Sequence, residues 1–145
     1  MRVCIFGGRD ITDPAVLLRA LERAAAKGIV PTVVVCGKAP GADTLGEVWA
    51  ARRGLRVEPF RAAWDDIDAP GAVIRYRNNR PYNAKAGHDR NVLMGERAEA
   101  GVALWDGVSP GTKSMIAILR NLCKPVHVEL VGEHQPGLFD GCDDV

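Results

Sequence analysis

The feature that most constrains this chain is an alternation, with few interruptions, of short apolar runs and stretches of helical spacing. Val3–Phe6, Thr32–Cys36, Arg56–Phe60, Val102–Trp105 and Val126–Leu130 read as strands. Most of these runs are continuous rather than alternately apolar and polar, as in strands covered on both faces. Between them, Val16, Leu17, Ala20, Leu21 and Ala24 share one helical face behind Pro14. Thr12 or Asp13 is placed to cap that helix, and Lys27-Gly28 to close it. Leu45, Val48, Trp49 and Arg52 repeat at helical spacing up to Gly54, and further helices are predicted near Asp89–Ala100 and over Thr112–Leu122. This order predicts an α/β fold: three layers, with a central parallel sheet of about five strands, right-handed crossovers and helices on both faces.

Two segments depart from the rhythm. Residues 61–86 hold Pro70, Gly71, Asn78, Asn79, Pro81 and Asn83, which punctuate structure, and read as an irregular basic insertion. From Val131 onward Gly, Pro and acidic residues dominate, so the expected organisation is one domain over 1–130 and an acidic, flexible tail over 131–145. With 47% hydrophobic residues in 145, the chain can fill a single core. A net charge of +1 excludes wholesale disorder and argues against coating nucleic acid by bulk electrostatics, but it leaves room for a local basic patch. Val3–Phe6 is too short for a secretory or membrane segment, and Cys4, Cys36, Cys123 and Cys142 form no C-x-x-C pair. A cytoplasmic protein with reduced thiols, no membrane association and no metal or cofactor is expected.

In parallel sheets of this kind, ligands bind beyond the carboxyl ends of the strands, where strand order reverses. That rule selects three turns. Gly7-Gly8-Arg9-Asp10 lets the backbone approach an anion closely and adds an Arg fork. It lacks the third Gly of a dinucleotide fingerprint, and a plain tight turn with a surface Arg–Asp pair is the alternative. In Gly37-Lys38-Ala39-Pro40-Gly41-Ala42-Asp43, the small pair Gly41-Ala42 would let a helix N-terminus face a phosphate. Asp43 reads either as the cap of that helix or as an acceptor for ribose hydroxyls. The third turn runs Asp106-Gly107-Val108-Ser109-Pro110-Gly111-Thr112-Lys113. Its Gly spacing and Lys position miss the P-loop pattern, which argues against that kind of NTPase site. It still offers an anion site at a helix N-terminus, with the Ser109 and Thr112 hydroxyls beside it.

Between 75 and 90, five cations (Arg75, Arg77, Arg80, Lys85 and Arg90) face one acid, Asp89, with Tyr76, Tyr82 and His88 interleaved. Such a segment can clamp a phosphate, grip single-stranded nucleic acid, or simply be solvated. Arg90 and Asn91 open the next predicted helix and are candidates to point into the cleft. Trp49, Trp105 and the Leu/Val stripes read as core; Trp64 either packs or stacks on a base.

Taken together, the turns resemble a known family. Gly7-Gly8-Arg9-Asp10, Gly37-x-x-x-Gly41-Ala42-Asp43, Pro59-Phe60-x-Ala62-x-Trp64, Ala86-Gly87-x-x-Arg90-Asn91-x-x-Met94 and Asp106-Gly107-x-Ser109-x-Gly111-Thr112 resemble the YspA/YpsA-related branch of the SLOG superfamily. The resemblance spans about residues 2–130, with 65–85 longer than usual. It implies a Rossmann-like sheet that binds nucleotides or nucleotide-derived ligands; the convergence of the Gly turns on one sheet edge places the residues of the three turns, Arg90 and Asn91 around that ligand. It also implies a homodimer. Some relatives, the cytokinin-activating LOG enzymes, hydrolyse the N-glycosidic bond of a nucleoside monophosphate with a catalytic Glu; aligned on Gly111-Thr112, that position is Met115 here.

Three functions follow as expectations. The first is a nucleotide-binding or sensing domain holding phosphate at its Gly-rich turns. The second is a LOG-like phosphoribohydrolase in which Asp10, Asp43 or Asp106 replaces the missing carboxylate. The third is a DNA-associated adaptor, either DprA-like or docking on the bacterial sliding clamp through Gln135, Leu138 and Phe139 of Gln135-Pro136-Gly137-Leu138-Phe139.

Overall fold

The structure is a computed structural model and describes residues 1–132. Its strands are β1 (Arg2–Gly7), β2 (Val33–Cys36), β3 (Arg56–Pro59), β4 (Ile74–Arg77), β5 (Arg80–Asn83), β6 (Ala100–Trp105) and β7 (Val126–Leu130). Its helices are α1 (Pro14–Ala26), α2 (Ala42–Arg52), α3 (Lys85–Arg97) and α4 (Pro110–Asn121). Five strands form one parallel sheet in the order β3-β2-β1-β6-β7, so the α/β, Rossmann-like architecture holds.

The side-chain period of 2 divides the core into two layers. Val3 and Ile5 of β1, Val34 of β2 and Ala100, Val102 and Leu104 of β6 point to one face, where α1 and α2 cover them. Cys4, Phe6, Val35 and Ala103 point to the other, against α3 and α4. Register keeps the layers matched, with Val3 beside Val34 and Ala100, and Cys4 beside Val35 and Gly101. β6 begins two residues earlier than its apolar run and takes in Gly101, which leaves room for Leu119 and Phe6 where a side chain would collide. α1 starts as expected: Asp13 accepts from the Ala15 N–H at 3.0 Å, ahead of Pro14.

Two expectations change. The insertion at 61–86 is not wholly irregular: β4 and β5 form an antiparallel hairpin, with Arg77 paired to Arg80. Asn78 and Asn79 between them have φ of 52° and 62°, the left-handed pair that a two-residue hairpin turn requires and that Asn tolerates. α3 begins at Lys85, four residues before the predicted start. Glu129, inside the predicted fifth strand, is buried in β7 beneath α1. It forms an ion pair with Arg23 and accepts from His127 Nε2 at 2.9 Å. Lys27 can only donate, so His127 accepts at Nδ1, 2.8 Å away. Val131 still packs on the core, and its N–H donates to Trp105 O at 2.7 Å.

Candidate functional site

The connection from β1 runs to β2 on one side, while β6 lies on the other, so strand order reverses between β1 and β6. At the carboxyl ends of these two strands opens a cleft of about 610 Å³, within the usual range for a small-molecule site. Gly7, Gly8, Arg9, Asp10, Asp43, Arg90, Asn91, Ser109, Gly111 and Thr112 line it, bringing together residues from all three predicted turns.

Each wall has a local cause. After β1, the Gly8 N–H donates to Leu104 O at 3.1 Å and the Gly8 carbonyl accepts from the Ala42 N–H at 3.1 Å. That Gly8 N–H is therefore committed to β6, and the turn presents Arg9 rather than a free Gly8 amide. The α2 N-terminus is likewise occupied. Gly41 has φ +81°, and a Cβ there would meet Gly8 O at 2.3 Å, so α2 begins against the first turn. Gly41 and Ala42 thus hold two loops together and, with Ala42 fully buried, do not line the cleft.

Asp43 sits in the first turn of α2 and does not cap it; its carboxylate accepts from the Ala39 N–H at 3.3 Å, tying down the preceding loop. It is buried, and desolvation pushes its pKa up to about 6, against the opposing pull of the Ala39 N–H, Arg90 and Arg9. Arg90, on α3, donates from Nη1 to Gly37 O at 2.6 Å and from Nε to Asn91 Oδ1 at 2.9 Å. Gly37 is where the two charges converge. A Cβ there would lie 2.7 Å from Asp43 Oδ2 and 3.0 Å from Arg90 Nη1. Gly37 itself lines the adjoining compartment.

The third wall is the N-terminus of α4. The first intrahelical bond runs from the Lys113 N–H to Ser109 O, so the Gly111 and Thr112 N–H groups precede the helical ladder. Asp106 stands behind this turn. It accepts from the N–H groups of Val108 and Ser109 at 2.9 and 2.7 Å and from the Ser109 hydroxyl at 2.7 Å. Those donors hold its pKa below the ordinary carboxylate value. Asp106, Gly107 and Lys113 do not line the cleft. Lys113 is exposed because one helical step turns it about 100° away from Thr112.

Sequence reasoning did not assign the apolar floor to the site. Phe6, Met94 and Met115, all buried, line the cleft, with Trp64 at its side. The available signal was helical spacing: Gly87, Arg90, Asn91 and Met94 share a face of α3, and Gly111, Thr112 and Met115 share a face of α4. His88 and Ser114 also line the cleft. The Gln135–Phe139 segment and Cys142 lie outside the described residues.

The fold and cleft define a class: a Rossmann-like α/β domain with a polar, Gly-rich site at its topological switch point. Residues 1–66 match the model of the YspA, cpYpsA-related SLOG family. The match takes in the first two turns and the Pro59–Trp64 motif; the motifs around Arg90 and Gly111 lie beyond it. No curated protein and no solved structure matches the chain. Among the described residues, no helix is long and apolar enough to cross a membrane.

Proposed function

We propose that this protein binds a nucleotide or nucleotide-derived ligand in the β1/β6 cleft, as a sensor or binding domain. One observation carries the reading: a single cleft joins a helix N-terminus and two arginines to an apolar floor of Phe6, Met94 and Met115. Phosphate is the natural partner of the α4 N-terminus with Arg9. A base is the natural partner of the floor and Trp64, and Asp43 and Asn91 offer acceptors for ribose hydroxyls. SLOG similarity over residues 1–66 agrees with this class of ligand. The test is a thermal-shift panel of nucleotides and nicotinamide-dinucleotide-derived metabolites. At least one should raise the melting temperature of the wild type, and Arg9→Ala should weaken that ligand about tenfold, as expected for loss of a charged hydrogen-bonding partner. Folded protein that responds to no member at millimolar concentration contradicts the reading.

A second reading is N-glycosidic hydrolysis of a nucleoside 5′-monophosphate, favoured by Asp43, a carboxylate facing the cleft whose pKa of about 6 suits proton transfer. Met115, lying on the floor, supplies no carboxylate of its own. Chromatography for free base and ribose 5-phosphate separates the two readings. Release that stops in Asp43→Asn supports hydrolysis; no release by concentrated wild type leaves a binding domain.

A further inference from the structure

Next to the cleft lies a second compartment of about 520 Å³, bounded by the β4–β5 hairpin and by the loops after β2 and β3. The two compartments share Arg9, Ala39, Trp64 and Arg90 on their walls, so they adjoin as the two ends of a trough. The second is far more basic. Arg61, Arg77 and Arg80 join Arg9 and Arg90 on its walls, with Asp65 as its single carboxylate. Lys38 also lines it but is neutralised by Glu47, 2.6 Å away. Among the described residues, Arg61, Arg77 and Arg80 take part in no ion pair with a protein carboxylate, and all three are exposed.

The hairpin is held in a defined place, and by polar contacts. Asn83, buried at its end, accepts from the Val73 and Lys85 N–H groups at 3.2 and 3.1 Å and donates to Asp66 O at 3.2 Å. Its own N–H donates to Trp64 O at 2.7 Å. Tyr82 meets Trp64 edge-to-face at 6.1 Å, and the Arg77 guanidinium lies 5.2 Å over the Tyr82 ring. β4 is exposed along its whole length, so the hairpin adds little to the core. What it does add is cationic charge beside the end of the trough away from α4.

We infer that the trough takes a nucleotide bearing a second, separate phosphate, such as a nucleoside bisphosphate or a short phosphorylated dinucleotide, with that phosphate held by Arg61, Arg77 and Arg80. This rests on the nucleotide reading of the first compartment. Forked guanidiniums suit a phosphate held at two oxygens.

The test is calorimetric titration of the full chain with AMP, adenosine 3′,5′-bisphosphate and a 5′-phosphorylated single-stranded decanucleotide. The bisphosphate should bind the wild type at least about tenfold more tightly than AMP. Arg61→Ala/Arg80→Ala should abolish that preference while leaving AMP affinity within about twofold. Arg80→Glu, at an exposed hairpin position outside the core, should invert the preference. Equal affinity for AMP and bisphosphate, or equal weakening of both by the double variant, overturns this inference but leaves the nucleotide reading standing. Tighter binding of the decanucleotide than of the bisphosphate, with the same arginine dependence, overturns it in favour of single-stranded nucleic acid. No binding of AMP or bisphosphate overturns this inference; the nucleotide reading falls with it when the wider panel also gives no response.

Discussion

Asp43 is the residue on which folding and site chemistry meet. Its carboxyl is pushed from the ordinary 3.8 up to about 6 by burial, so the folded protein holds a proton between these pH values that the unfolded chain has released. The stabilising contribution of that proton is full below about pH 4 and is lost as pH rises through 6, a change of about 3 kcal/mol. Urea unfolding at pH 4.5, 5.5 and 7 should therefore show wild type losing stability relative to Asp43→Asn as pH rises; parallel pH profiles would contradict this linkage. Gly41 is a second case. Its φ is +81°, and a side chain would bring Cβ to 2.3 Å from Gly8 O. Gly41→Ala should therefore cost about 3 kcal/mol in the same denaturation assay, since strain and overlap add.

At the scale of elements, the α4 N-terminus depends on a turn that Asp106 organises through three hydrogen bonds. Asp106→Ala should cost about 1 kcal/mol, as loss of a helix-capping side chain does, and should weaken nucleotide binding without removing any residue that lines the cleft. The hairpin behaves differently because it lies outside the five-stranded sheet. Asn78→Ala/Asn79→Ala forces two ordinary residues into left-handed backbone, costing about 1–2 kcal/mol each. Trypsin should then cut after Arg75 and Arg77 several-fold faster while the melting temperature stays put; a matching fall in melting temperature would make the hairpin part of the core.

The same contrast explains what could be read from sequence. The five sheet strands were legible because strands covered on both faces need apolar runs, as Val3–Phe6 has. β4 and β5 were not, because Arg75, Tyr76 and Arg77 alternate cation and aromatic on a strand that buries nothing. Asn78-Asn79 was the available signal, since adjacent residues that tolerate positive φ mark a hairpin as well as a loop. Of the residues that line the cleft, those in turns, such as Arg9 and Gly111, were legible from their position after strands. Met94 and Met115 were not, because a buried apolar residue at helical spacing looks the same whether it faces the core or a ligand. Asp43 remained ambiguous in sequence between cap and acceptor, and only the fold shows it bonded to Ala39.

For the whole molecule, strand order puts the cleft between β1 and β6, and the insertion then extends that cleft into a basic trough. The net charge of +1 averages over this arrangement, in which cations concentrate beside the site and Glu129 is consumed under α1. The central claim is that a nucleotide sits with its phosphate at the α4 N-terminus. The most direct measurement is a backbone amide titration by nuclear magnetic resonance with AMP. The largest shifts are expected at Arg9, Gly111 and Thr112, with Asn91 and Met94 following. Shifts confined to residues outside the β1/β6 cleft, or none at saturating nucleotide, would contradict that claim.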